Sequence, residues 1–489
     1  MPYLASIDRN ARPSTRRLAC LALLSLPLLA WADAGAGAGV DAGIARVERG
    51  LRLPVAVAGE PVAARTLEGE MQRLHVPGVS IALIRDGKIA WTRGYGVAYE
   101  GGPAVTPDTL FQAASISKPI TAVAALRLAE RGELNLDADI NTVLTGWKLP
   151  AGPDNASATA RQLLSHTAGT SVSGFPGYEA GKPVPTLVQV LDGAAPANTK
   201  PVRIEKTPGT AFRYSGGGYS VLQQALIDRT RQPFDVLLLE TVLKPAGMRD
   251  SRFAQPLPAN LLARAALPHN AQGKPYAGGP YTYPELAAAG LWTTPSDLAR
   301  FALDLQRSLR GEKGVLSPQM ARTMVTPVKN RYGLGLQVEG EGPALSFEHG
   351  GSNMGYQNNL FAYADHGDGA VIMTNGANGA ELASGILRAL AVEYKWPSQH
   401  PVERKAVALD LAAQEKLAGR YVIAGLGDFT IARRDGRLMV ALREGAWEPL
   451  YAAAPDLLFV LSRKLELRMA GDGGRVVSGS FDMPFKRAE

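Results

Sequence analysis

Phe111-Gln112-Ala113-Ala114-Ser115-Ile116-Ser117-Lys118-Pro119 holds the only Ser-x-x-Lys of the chain, and Pro119 decides where that motif sits. A proline lacks the backbone N–H and clashes with the carbonyl four residues back, so a helix accepts it only in its first turn. The run Pro119–Arg131 is Ala- and Leu-rich and reads as a buried helix, with Gly132 at its C-terminal end. The helix is therefore expected to begin at about Ser115. That places a hydroxyl where free N–H groups and the positive end of the helix dipole favour negative charge. Residues three apart share a helix face, so Lys118 can reach the Ser115 oxygen. A nucleophile with an adjacent amine is the arrangement this spacing predicts.

Outward from that motif the pattern alternates. Upstream, Leu67, Met71 and Leu74 mark one face of an amphipathic helix. Val79–Ile84 and Ile89–Tyr95 then flank Arg85-Asp86-Gly87-Lys88, an Asp-Gly hairpin signal. From Phe111 to about Trp292 helices are separated by long Pro/Gly-rich connections. Strand-like runs return at Gly333–Val338, Leu345–His349, Gln357–Tyr363 and Gly369–Thr374, followed by a closing helix over Ser384–Tyr394. The expected fold class is α+β, an α/β sandwich. One antiparallel sheet is built from both ends of this region, with flanking helices and an all-helical insert. Beyond Pro397 come short β-like runs from Tyr421–Ile423 to Val476–Phe481, separated by turns such as Asp435-Gly436. They predict a small sheet or barrel of their own over 406–489.

At 489 residues the chain is too long for one ordinary core, so two domains with appendages are expected. Its 46% hydrophobic and 20% charged residues exclude a disordered or fibrous class. Arg12, Arg16 and Arg17 precede the apolar run Leu18–Ala30, and Ala30-Trp31-Ala32 has the small-x-small form of a signal-peptidase site. Residues 1–32 are thus expected to be a signal peptide cut after Ala32, giving a periplasmic or secreted protein with no membrane span left. The alternative is an uncut N-terminal anchor. Residues 33–61, with Gly/Ala-rich Ala34–Gly43, are expected as a linker and leading segment. Cleavage would remove Cys20, the one cysteine, and with it any disulfide, thiol nucleophile or thiolate metal site. It would also remove four arginines and Asp8, lowering the net charge from +7 to +4. So mild an excess gives no support for nucleic-acid binding.

Two further clusters carry chemistry. Phe212-Arg213-Tyr214-Ser215-Gly216-Gly217-Gly218-Tyr219 follows Thr207-Pro208-Gly209. Its glycines let backbone approach something closely and leave Tyr214 on a bend, where a phenol near an ammonium group can act as a base; the segment also fits a plain loop. Glu348-His349-Gly350-Gly351-Ser352 ends a strand-like run, and two glycines on an edge strand expose N–H groups that can hold an oxyanion. A bulge with a solvated histidine is the other reading. No Gly-x-Ser-x-Gly, His-Glu-x-x-His or Gly-x-x-x-x-Gly-Lys occurs, so neither an α/β-hydrolase triad nor a metal or phosphate cofactor has support.

In order, Ser115-x-x-Lys118, Tyr214-Ser215-Gly216 and His349-Gly350-Gly351 resemble the penicillin-recognising serine hydrolases, in their class C β-lactamase-like branch. That branch includes D-alanyl-D-alanine carboxypeptidases, D-aminopeptidases and short-chain esterases. Leu163–Gly169, Gly290–Leu298 and Gly355-Tyr356 resemble the same family, and the likeness spans Val62 to Trp396; the hydrolase domain is expected over 62–397. The resemblance implies an acylated nucleophile at Ser115, a proton acceptor at Lys118, and at Tyr214 the base for acylation and for the deacylating water. It implies an oxyanion hole from the N–H groups of Ser115 and Ser352, with His349, Gly350, Gly351 and Gly216 against substrate and no cofactor. His166 is read as structural. Two positions depart from the family: Gly216 stands where Asn is common, and His349 where β-lactamases carry Lys. Both changes remove groups that grip a β-lactam, so an ester or a D-amino-acid peptide is the expected substrate, with a charged His349 replacing the lysine in part at low pH. A β-lactamase or carboxypeptidase is the alternative. A non-catalytic scaffold that binds cell-wall fragments is the rival of another class. The appended β domain is expected to bind substrate, pair chains or shield the site's mouth.

Overall fold

The computed structural model describes residues 29–488 except 444 and 480. Most of the signal-peptide reading, residues 1–28, thus lies outside the described residues. From Ala45 onward the chain forms one unit. The described residues before it lie in helix Leu29–Glu48, which contains the Gly/Ala-rich stretch expected as a linker. Neither alanine nor glycine removes a backbone donor, and alanine is the best helix former, so the helical hydrogen bonds persist through the run.

The Asp-Gly hairpin forms as expected. Strands β1 (Gly78–Arg85) and β2 (Lys88–Gly96) are joined by Asp86 and Gly87 at φ 51° and 73°, the left-handed pair that matches strand twist. Four later strands complete the sheet: β3 (Gln337–Glu339), β4 (Ser346–Asn353), β5 (Tyr356–Tyr363) and β6 (Gly369–Thr374). The order is β2-β1-β6-β5-β4-β3, antiparallel throughout, so the β1–β6 pair closes the two ends of the region onto each other. Every residue of β6 is buried, because helices cover both faces. Val371 and Met373 join the insert's core with Leu298 and Phe301 of a helix over Pro295–Leu309. On the other face Thr374 meets the first residue of a helix over Gly379–Glu393, which starts earlier than the expected Ser384. One expected strand is mostly absent. Gly335, at φ 90°, brings the backbone to 2.7 Å between its would-be Cβ and Ala122, so the 333–336 stretch turns into the insert and only Gln337–Glu339 pairs.

Within the insert, α1 (Ser117–Glu130) and α2 (Gly216–Thr230) are buried nearly all round and pack on the short helix Leu286–Ala289. Gly132 at φ 71° ends α1 as the sequence predicts.

After Pro397, a parallel pairing of Val402–Arg404 with Val55–Val57 leads into a nine-stranded antiparallel sheet. Its edge strands, Trp447–Pro449 and Tyr451–Ala454, are separated by Leu450 alone. Edges joined by one residue force the sheet to curl into a near-barrel around Tyr421, Phe429, Leu458 and Phe485. The expected run Val476–Phe481 divides between two strands, Gly473–Ser478 and Phe481–Arg487.

Candidate active site

Ser115 stands two residues ahead of α1, on a 3₁₀ turn over Ala114–Ile116. The turn is strained: Ala114 has φ 54°, a left-handed conformation that costs a residue with a Cβ ~1–2 kcal/mol. Its surroundings hold it there. Ser117 Oγ donates to the Ala114 carbonyl at 2.6 Å and accepts the Leu291 N–H at 3.0 Å, while the Ala113 N–H donates to the Leu291 carbonyl at 2.8 Å. Lys118 lies in the first turn of α1, 2% exposed. Its Nζ donates to Ser115 Oγ at 3.0 Å and to the Ala288 carbonyl at 2.8 Å. It also sits 5.1 Å from the centre of the Tyr214 ring and 5.6 Å from that of Tyr219. The structure thus brings Ser115, Lys118 and Tyr214 together.

The glycines after Tyr214 are not a loop. Ser215 caps α2, accepting the Gly218 N–H at 3.0 Å, and Gly216–Gly218 form the first helical turn. A Cβ would lie 2.8 Å from the Phe175 ring at Gly216, 2.8 Å from the Ser171 carbonyl at Gly217, and 2.9 Å from Thr170 Oγ1 at Gly218. The helix start is pressed against residues 170–175, and Phe175 fills the space a side chain at 216 would need.

His166 does more than hold a loop. Its carbonyl accepts the Arg213 N–H at 2.7 Å, its Nδ1 accepts the Ser215 N–H at 3.1 Å, and its ring lies 4.2 Å from that of Tyr214. It therefore grips the residues on either side of Tyr214 and packs against the phenol between them. Burial, then the charge of Lys118 and the nearby His349, push its pKa well below 6.5. With Nδ1 accepting, the proton of this neutral ring is on Nε2.

The third cluster lies on β4. Because β3 pairs only with Ser346–Glu348, the strand beyond faces the Ser115 turn. A Cβ at Gly351 would stand 2.2 Å from the Ala113 carbonyl, so only glycine permits this approach. Asn353 Nδ2 donates to Gln112 Oε1 at 2.7 Å and Asn358 Nδ2 to the Gln112 carbonyl at 2.8 Å, tying the sheet to the segment that carries Ser115. Gly350 and Ser352 are exposed, and Ser352 Oγ accepts a 2.8 Å bond from Gln357. His349 is buried. Its Nδ1 lies 2.6 Å from the Gly350 carbonyl, which only accepts, so Nδ1 carries the proton and Nε2 accepts from the Tyr332 hydroxyl at 3.0 Å. Burial and Lys118 push its pKa down to about 3. The expectation that His349 gains charge at mildly low pH and replaces a lysine is thereby corrected: burial keeps this ring neutral in mildly acid conditions.

Phe212, Tyr214, Arg331, Tyr332, His349 and Gly479 line a cavity of about 500 Å³. Gly479 belongs to the turn between the last two strands of the C-terminal sheet, so the appended domain forms part of the mouth. A roomier cavity of about 840 Å³ beside Met71 and Tyr95 holds none of these groups; chemistry, not volume, places the site. Sequence reasoning missed Phe175, Arg331 and Tyr332. Only Tyr332, beside Gly333 and Gly335, has a local signal, and it lies one residue ahead of the strand expected over Gly333–Val338. Among the described residues no group of three or more metal-ligating side chains comes together.

A family model described as Beta-lactamase matches residues 63–394. Penicillin-binding protein 4 of Amycolatopsis lactamdurans is 27% identical over 345 residues, covering 65% of this chain and 86% of that protein. Protein flp of Staphylococcus aureus (strain N315) is 26% identical over 242 residues, 47% of this chain; the chain spans 44%, less than half, of that relative. Among solved structures, the octameric penicillin-binding protein homologue from Pyrococcus abyssi shares the fold with a TM-score of 0.59 at 21% identity, over 86% of this chain and 99% of that one.

Proposed function

This chain belongs to the Beta-lactamase family, and on that premise we propose that it is a serine hydrolase working through an acyl-enzyme on a short-chain ester or a D-amino-acid peptide. The observation that carries the reading is the buried Lys118 Nζ, 3.0 Å from Ser115 Oγ. Ser115 Oγ attacks the acyl carbon while its proton passes to the Lys118–Tyr214 pair; the carbonyl π electrons move to oxygen, then return as the leaving group departs with that proton. Water, deprotonated by Tyr214, releases the acyl group by the reverse path. The N–H groups of Ser115 and Ser352 receive the oxyanion, a service typically worth ~3–4 kcal/mol. Phe175 in the space next to Gly216 and a neutral His349 both speak against a β-lactam, since neither can grip its amide or its carboxylate. A carboxypeptidase is the second reading: Arg331 is a cation lining the cavity where His349 is not, and a substrate carboxylate would compete with Glu339, which pairs with it at 3.0 Å. A scaffold is disfavoured: burying an ammonium is costly, and a binding protein has no use for one against Ser115.

The test compares an aryl ester with a chromogenic cephalosporin on the wild type and Ser115→Ala. Ester turnover exceeding cephalosporin turnover, about 10³-fold lower in the variant, with an acyl adduct on Ser115 by mass spectrometry, is the expected result. Turnover that survives in Ser115→Ala would overturn the reading. Export is part of the proposal, and N-terminal sequencing of the exported protein should begin at Asp33.

A further inference from the structure

Successive residues of a strand point to opposite faces, so Glu348 faces away from the site that His349 lines. There the helix Gly379–Glu393, the segment 51–54 and residues 462–464 of the C-terminal domain enclose a second cavity, of about 640 Å³. Three of the cations in its wall, Arg52, Arg388 and Lys464, have no ion pair among the described residues. Arg388, half-buried, spends its Nε on the Arg52 carbonyl at 2.7 Å, and burial pushes its guanidinium down to about 10. The nearest acid along its helix, Glu381, is ion-paired with Arg73 instead. Arg52 Nε is buried with no hydrogen-bond partner, and Lys464 stands at the rim without an ion pair among those described. The acids that could balance them are engaged or only partly ionised near neutral pH. Glu339 pairs with Arg331 and Glu70 with Arg65 and Arg73, while burial holds the Glu348 carboxyl up at about 7. Asn359 lines the same wall.

A half-buried guanidinium without a direct ion pair gains from a carboxylate held against its open nitrogens, a charge-assisted contact stronger than a neutral one. We propose that this cavity is a binding site for a small carboxylate bearing a hydroxyl or ammonium group. Arg388 and Arg52 hold the carboxylate, Lys464 draws it in, and Asn359 with Glu348 meets the polar substituent. The site is separate from Ser115 and does not depend on the hydrolase reading.

Calorimetric titration of the full chain, with Ser115 blocked by a phosphonylating reagent, tests this with lactate, alanine, acetate and inorganic phosphate. Saturable one-to-one binding of lactate or alanine is expected, weaker for acetate. One lost charge-assisted contact should weaken it about tenfold in Arg388→Gln. Because a buried substitution can perturb folding, the exposed Lys464→Gln is the second variant and should weaken binding by a smaller factor while leaving the melting temperature unchanged. Three outcomes would overturn the proposal: no saturable binding, binding indifferent to both substitutions, or phosphate binding as tightly as the carboxylates. Acetate equal to lactate would remove the assigned role of Asn359 and Glu348.

Discussion

At the scale of residues, the site is set by what surrounds each reactive group. Tyr214 has its neighbours Arg213 and Ser215 both tied to His166 and its ring against the imidazole. His166→Phe keeps the ring contact and loses the Ser215 bond. It should lower kcat by about 10-fold, the worth of one buried hydrogen bond in the transition state, with KM nearly unchanged and the pH profile shifted. An unchanged profile would reduce His166 to a purely structural part. His349 makes a prediction about stability. Its folded pKa is about 3, against ~6.5 when unfolded. Between those values the unfolded chain binds the extra proton, so stability is full above about pH 6.5 and is lost as pH falls, by ~1.4 kcal/mol per unit. His166 acts in the same direction. Denaturant midpoints measured from pH 8 down to 5 should fall, and fall less steeply in His349→Asn.

At the scale of elements, β4 shows how one strand can hold two glycines of unequal weight. A Cβ at Gly351 would stand 2.2 Å from the Ala113 carbonyl, whereas at Gly350 the nearest atom is 3.9 Å away. Gly351→Ala must move either the strand or the strained Ser115 turn and should cost about 2–3 kcal/mol together with most activity. Gly350→Ala should stay within about 0.5 kcal/mol of wild type. Thermal melts and ester assays on the pair decide it; equal effects would mean that β4 does not press on the Ser115 turn. Element types were legible where the signal is local. Pro119 placed the start of α1 within two residues, and Asp86-Gly87 placed the hairpin. The glycine run after Tyr214 was not legible as a helix, because glycine has poor helix propensity and only its packing against residues 170–175 stabilises that first turn. Gly333–Leu336 left the strand for a similar reason: its partner is α1, far off in sequence.

On the scale of the whole molecule, residues 55–57 and the stretch after Pro397 are knitted together. Val55 and Val57 share a small core with Phe459 and pair with Val402–Arg404, while the turn at Gly479 reaches the cavity beside Tyr214. Gly479 has φ 59°, a conformation asparagine tolerates. Gly479→Asn should therefore fold normally, add bulk at the mouth, and raise KM for a peptide substrate several-fold more than for a small aryl ester. A uniform change in both would place the turn outside the substrate path. By itself the sequence determined the Ser115–Lys118 pair, the order of the three clusters and a sheet made from two separated stretches, since each rests on spacing, on a proline or glycine, or on strand periodicity. Only the tertiary structure decided that His349 is neutral, that Phe175 fills the space beside Gly216, that Gly479 lines the mouth, and that Arg388 lines a second cavity half-buried. Those properties depend on desolvation and on neighbours far away along the chain, which no local pattern encodes.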